Sequence, residues 1–290
     1  MMIKEVIQME WIEQLNEAIK YIEDSLSREI EIKKAAQIAG CSTYHFQRMF
    51  SYIAGVPLAE YIRRRRMTQA AFDLCNGDKV LDVAYRYQYE SPTSFNRAFQ
   101  GVHGFPPSAA KQQGVTLKAY PRISLKMVIK GEAEMEYRIE KKEAFRIVGM
   151  KESLSKELEE NFREVPQMWA KAAQTGILEK LAGMMNQEVK GILGVSACLE
   201  EDNWCYYIGV ATDQPAIEGT EEYMVPAATW AVFFGTGTMP DSIQDIEKRA
   251  VTEWLPTSGY EYGNAPDIEL YLSPDPANAV FEVWMPVVKK

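Results

Sequence analysis

Apolar and polar positions separate most sharply between Thr43 and Ile53, in the run TYHFQRMFSYI. Phe46, Met49, Phe50 and Ile53 recur at i, i+3, i+4 and i+7, which predicts one helix with an inward stripe. Tyr44, Gln47, Arg48 and Ser51 fall on the opposite side, and Ser42 is the residue type that caps a helix N-terminus. Just upstream, Ile32 to Gly40 reads as a short helix closed by glycine. Short helix, tight turn and polar-faced second helix together predict a helix-turn-helix.

One such helix is equally well a surface helix whose polar side meets water. The decision comes from a second copy about 49 residues on, with one extra residue in its turn, in which Phe95, Ala98, Phe99 and Val102 repeat the stripe. Asn96 and Arg97 repeat Gln47 and Arg48, while Gly104 and Pro106 repeat Gly55 and Pro57. Val80, Val83 and Ala84 stand for Ile32, Ala35 and Ala36. The polar residues suit a major groove, because arginine can donate twice to guanine O6 and N7 and glutamine or asparagine can pair with adenine N6 and N7. The expected DNA-contacting set is Tyr44, Gln47, Arg48 and Ser51 in the first unit and Thr93, Asn96 and Arg97 in the second.

A helix from about Leu58 to Leu74, carrying Arg63 to Arg66 unbroken, joins the two units. With its Tyr61-Ile62 and Arg66-Met67 pairs, Ser91, and Phe95, Arg97 and Phe99, the stretch from residue 9 to 112 resembles the DNA-binding domain of AraC/XylS transcription regulators. Three positions depart from that pattern: Gln88 stands where glycine is usual, Pro106 where Ser or Thr is usual, and Ala110-Lys111 replaces an aromatic-arginine ending. The DNA-binding half comes first, as in the Rob-like arrangement of the family. The resemblance implies two readers on one chain, an asymmetric site, RNA polymerase as a further partner, and a monomer or weak dimer.

Helical periodicity fades from Gln113 to Pro121, which places a linker at 113–121 between a DNA-binding domain at 1–112 and a second domain at 122–290. Beyond it, Ile123 to Ile129, Tyr137 to Ile139 and Phe145 to Met150 read as strands, Leu154 to Ala173 and Ile177 to Met185 as helices, and Ile192 to Ala211 as a hairpin turning at Glu200 to Asn203. Ala228 to Phe234, Ser242 to Trp254 and a hairpin from Ile268 to Pro286 repeat that order. The expected fold is multidomain: an all-α double helix-turn-helix domain, then an α+β domain of two strand-helix-hairpin modules.

The second half, with EWLPTSGYEY at Glu253 to Tyr262 and PDIELYL at Pro266 to Leu272, resembles the GyrI-like effector-binding domain. Such domains enclose an aromatic-walled pocket with a strand glutamate near its floor, and Glu269 is the matching residue here. Strand alternation puts Asp267, Glu269 and Tyr271 on one face. A carboxylate among rings suits an amphipathic cation. The expected effector set is Glu269, Tyr271, Trp169 and Trp230. Two other functions stay open for this half: a hydrolase of strained cyclopropane compounds, as some GyrI-like domains are, or a protein-interaction module with a vestigial pocket.

Composition narrows these readings. The net charge of −9 argues against nucleic acid only if charge is spread evenly, and it is not: residues 41–112 hold nine Lys and Arg against five Asp and Glu, and 28 of the 41 acidic residues follow residue 113. Four cysteines without a C-x-x-C pair and two histidines, His45 and His103, assemble no zinc set. No metal, cofactor or catalytic triad is expected. With no membrane-spanning run and no signal-peptide core, a cytoplasmic protein is expected.

Overall fold

The computed structural model of the chain describes residues 2–112, 114–125, 134–155, 158–200, 203–273 and 275–289. Helix α1 (Met2–Asp24) is followed by α2 (Ile32–Ile38) and α3 (Thr43–Ala54), the first helix-turn-helix. Helix α4 (Leu58–Cys75) leads to α5 (Val80–Arg86) and α6 (Pro92–His103), the second, and a 3-10 turn spans Pro107–Lys111. Helices α3 and α6 are built alike. Ser42 accepts from the His45 N–H and Ser91 from the Ser94 N–H, while Gly55 and Gly104 end them in the left-handed region at φ 66° and 86°. Phe46 and Phe95 are fully buried, as the stripes predict.

The turn of the second unit explains one departure from the family pattern. Gln88 sits at φ 66°, a conformation that suits glycine and strains other residues. The arginine run of α4 turns out to be tied inward. Arg65 makes a buried ion pair with Glu23 at 2.7 Å, Arg63 and Arg64 bond Glu60, and Arg66 donates to the Leu26 and Arg28 carbonyls. The segment after the 3-10 turn lies along these helices rather than hanging free: Arg65 donates to the Tyr120 carbonyl, Tyr61 accepts from the Ile123 N–H, and Asn16 bonds Leu125 in both directions.

The sheet half comprises β1 (Tyr137–Lys142), β2 (Phe145–Ser153), α7 (Leu158–Gln174), α8 (Ile177–Ala182), β3 (Ile192–Glu200) and β4 (Asn203–Ala211). It continues with β5 (Glu221–Val225), β6 (Ala228–Gly237), α9 (Asp241–Arg249), a π turn (Ala250–Trp254), α10 (Leu255–Ser258), β7 (Tyr260–Tyr262), β8 (Asp267–Tyr271) and β9 (Ala279–Lys289). The strands run β1-β6-β9-β8-β3-β4-β2-β5, all neighbours antiparallel, with β7 beside β9. Read from its middle, this order is symmetric: β2-α7-β3-β4 and β6-α9-β8-β9 are the two modules, and they join where β8 pairs β3. Side chains from both ends of the sheet, Phe145 and Val225 at one and Trp230 and Val232 at the other, share one buried cluster. The sheet therefore curls round that cluster and carries its helices on the opposite face.

Several expectations shift. Residues 123–125 form no strand, and the rest of the expected strand to Ile129 lies outside the described residues, as do 201–202 in the expected hairpin turn. The first helix of this half starts at Leu158 instead of Leu154, and β5 and β7 were not anticipated. The two halves also share a core. One apolar cluster contains Leu15, Ile19, Phe46 and Phe50 of the helical half together with Phe233, Val251, Trp254, Leu255 and Phe281 of the sheet half. Helix α1 lies against α10, and α3 against α9 and the π turn. No helix among the described residues is long and apolar enough to cross a membrane.

Candidate functional site

The seam between the two modules is where chemistry collects. In the β3–β8 register Gly194 faces Glu269, and a Cβ on Gly194 would stand 2.1 Å from the Tyr206 hydroxyl and 2.8 Å from Glu269 Oε2. Glycine there leaves room for a hydrogen-bonded row. Trp169 Nε1 donates to Tyr206 Oη at 3.0 Å, and Tyr206 and Tyr271 donate to Glu269 Oε2 at 2.7 and 2.9 Å. The Trp169 and Tyr271 rings meet edge to face, with centroids 4.6 Å apart.

These residues line a cavity of ≈ 640 Å³ between α7 and α8 on one side and α9 on the other. That volume lies within the roughly 300–1,000 Å³ usual for small-molecule sites. Burial, followed by repulsion from Glu247 of α9, lifts the Glu269 carboxyl to about 7, although Arg48 and the two tyrosine bonds pull the other way. Three of the four expected effector residues, Trp169, Glu269 and Tyr271, line the cavity together. Trp230 does not. It is fully buried on the opposite face of the sheet beside Trp284, with its Nε1 donating to the Pro266 carbonyl. Alternation along β6 separates the two faces but does not say which one carries the cavity. Tyr206, a candidate ring from the sequence that strand alternation could not choose over Tyr207, also lines the cavity, and Glu247 is a site residue that the sequence did not point to.

The fourth wall is α3. Arg48 pairs with Glu247, donates to Asp267 Oδ2 at 3.2 Å and to Tyr44 Oη at 3.1 Å through Nη1, and reaches Tyr52 Oη at 3.2 Å through Nε. Tyr52 in turn donates to Glu247 at 2.8 Å. The Tyr44 ring packs on Trp204 with centroids 5.1 Å apart, and His45 stacks on Tyr262 at 4.1 Å. Burial pushes Asp267 up, but Arg48 and His45 more than offset it and hold its carboxyl below the usual range. Ser42, His45 and Asp267 do stand in a row, with Ser42 Oγ 2.9 Å from His45 Nδ1 and His45 Nε2 3.5 Å from Asp267. The row is spent on structure, since Ser42 caps α3 and Asp267 holds Arg48.

Of the expected DNA-contacting residues, Tyr44, Arg48 and Ser51 are therefore buried, Gln47 is half-buried, and Ser51 Oγ donates to the Gln47 carbonyl. On α6 the picture reverses: Thr93 and Arg97 are exposed and Asn96 is half-buried. No cluster of three or more metal-ligating side chains occurs among the described residues.

Comparison with known proteins places both halves. Residues 135–288 match the family model of the GyrI-like small molecule binding domain, and residues 35–113 match a helix-turn-helix domain model. The HTH-type transcriptional activator AarP of Providencia stuartii is 39% identical over 95 residues, covering 32% of this chain and 70% of AarP. The multiple antibiotic resistance protein MarA of Salmonella typhimurium is 34% identical over 94 residues, covering 32% of this chain and 74% of MarA. A solved structure of SAV2435 bound to tetraphenylphosphonium resembles 53% of this chain and 94% of its own at a TM-score of 0.48 and 24% identity. The chain belongs to the GyrI-like family through its sheet half, and with its AraC-type helical half it is a DNA-binding transcription regulator carrying a small-molecule-binding domain.

Proposed function

We propose that this regulator answers to a lipophilic cation seated on Glu269, and reads DNA with Tyr44, Gln47, Arg48 and Ser51 of α3 and Thr93, Asn96 and Arg97 of α6. The observation that carries the effector reading is a carboxylate on the cavity floor whose neighbours are the Tyr206, Tyr271 and Trp169 side chains. An ionised carboxylate is disfavoured there while the cavity is empty, and a cation offers both charge pairing and contact with ring faces. Glu269→Gln keeps the shape and removes the charge. Calorimetry should show cationic ligands weakened strongly and neutral analogues of the same shape spared; equal binding of the cation to both proteins overturns the assignment.

For DNA, the exposed Thr93 and Arg97 of α6 support one reader, and α3, capped in the same way, is the second, a turn of duplex apart, once its polar face parts from Glu247 and Asp267. A cytoplasmic chain acting as a monomer or weak dimer fits this scheme, and kinship with an activator, AarP, makes RNA polymerase the natural third partner.

A second reading is favoured by the same glutamate. A carboxyl with a pKa near 7 is well placed to act as a general base at neutral pH, so turnover of a strained ring compound is chemically open to it. Steady product formation that disappears in Glu269→Gln would establish that activity; a bound compound recovered unchanged would dismiss it.

A further inference from the structure

Arginine can read guanine only with its donors free, and four of the five N–H donors of Arg48 are already engaged. Its Nε, Nη1 and Nη2 are all engaged, by Tyr52, by Tyr44 and Asp267, and by Glu247, and its side chain is 10% exposed. The hydrogen bonds to the Glu247 carboxylate come from Arg48 and Tyr52, both on α3, so this acid of α9 is matched by the other half of the molecule. Both Tyr44 and Arg48 also line the cavity that holds Glu269.

We propose that Tyr44 and Arg48 are effector-site residues as well as DNA-reading ones, so that a lipophilic cation in the cavity and a major groove compete for the same face of α3. The inference rests on the DNA and cation readings given above. With α3 docked, the Arg48 charge is set against Glu247 and Asp267, which leaves Glu269 as the carboxylate an incoming cation meets. The Tyr44 ring closes the cavity beside it, a wall that exists only while α3 stays in place. DNA demands the opposite. Inserting α3 into a groove requires Tyr44 to leave Trp204 and Arg48 to leave both carboxylates. A ligand favours the state with which it interacts better, and such coupling is reciprocal, so each partner should weaken the other by one common factor.

The test uses the full chain, an operator obtained by selection from random DNA, and tetraphenylphosphonium as the lipophilic monocation. The cation is titrated by calorimetry with and without saturating operator, and operator affinity is measured at rising cation. Both dissociation constants should increase by the same factor, about fivefold or more, the lower end of common allosteric couplings. A cation that binds equally well with and without operator, or an operator that binds more tightly with it, overturns the competition and leaves the pocket standing. No cation binding at all overturns the pocket reading and this inference together. A ligand-free arm checks the masking of α3 separately: Glu247→Gln, which removes the charge that holds Arg48, should tighten operator binding severalfold. Should that variant lose its cooperative melt, Tyr52→Phe deletes one of the two bonds to Glu247 and gives the same test at smaller amplitude. Unchanged operator affinity in a folded variant overturns the masking.

Discussion

The raised Glu269 carboxyl makes the stability of this protein depend on pH in an unusual direction. Its ordinary value is 4.5 and its folded value is about 7, so between those limits the folded chain holds a proton that the unfolded chain has released. Raising the pH through that window strips the proton from the state that binds it better, and stability falls. About three-quarters of the contribution is present at pH 5 and almost none by pH 8, a loss of roughly 2–3 kcal/mol for a single carboxyl shifted this far. The groups that face it are Tyr206 of β4, Tyr271 of β8, Glu247 of α9 and Arg48 of α3. Asp267 works in the reverse sense, because its lowered carboxyl stabilises above its ordinary value and loses that effect as pH falls. Comparing wild type with Glu269→Gln isolates the glutamate, since the other acids are common to both. Urea denaturation at pH 5 and pH 8 should show wild type losing roughly 2–3 kcal/mol relative to the variant. A difference between the two proteins that does not change with pH would refute the reasoning, because it would mean that Glu269 ionises in the cavity as freely as in water.

Two further outcomes follow from the geometry. Gly194→Ala would drive a methyl to 2.1 Å from the Tyr206 hydroxyl, so it should break the Trp169–Tyr206–Glu269 row and destabilise the fold by about 1–3 kcal/mol, read from the urea midpoint; an unchanged midpoint would show that β3 and β8 can separate at little cost. Arg97→Ala should weaken operator binding by about 1–3 kcal/mol and relax preference at one base pair, measured by competition with mutated operators, whereas equal loss on scrambled DNA would mean that Arg97 touches only phosphate.

What the sequence disclosed follows from which interactions are periodic. The stripes of α3 and α6 could be counted because each buries residues one turn apart, and the repeat confirmed the pair. Glu269 and Tyr271 could be placed on one face because a strand alternates, and they do meet. Periodicity also separates a helix's polar side from its apolar side, but it is silent on what that polar side touches. The face of Tyr44 and Arg48 therefore read as open to DNA, although its carboxylate partners lie 199 and 219 residues further along the chain. Trp230 was misplaced for a related reason: a residue in a strand of alternating character has two faces to choose from, and the curl of the sheet made the choice. Strand β5, Glu221–Val225, begins with two exposed acids at a sheet edge and buries only Val225 fully, too little apolar pattern to announce itself.

The apolar cluster that runs from α1 and α3 into the π turn, α10 and β9 has a consequence for how this chain can vary. AarP and MarA show that a helical half of this kind is found in chains that this protein matches along that half alone. Here Leu15, Ile19 and Phe46 share a buried cluster with Trp254, Leu255 and Phe281. A change of volume on one side leaves a void or a clash on the other, as it would inside any single core. The halves are thus not freely interchangeable parts: a chimaera that grafted a relative's helical half onto this sheet would need the matching α1 and α3 surface to come with it, and residues from opposite ends of the chain must drift together or not at all.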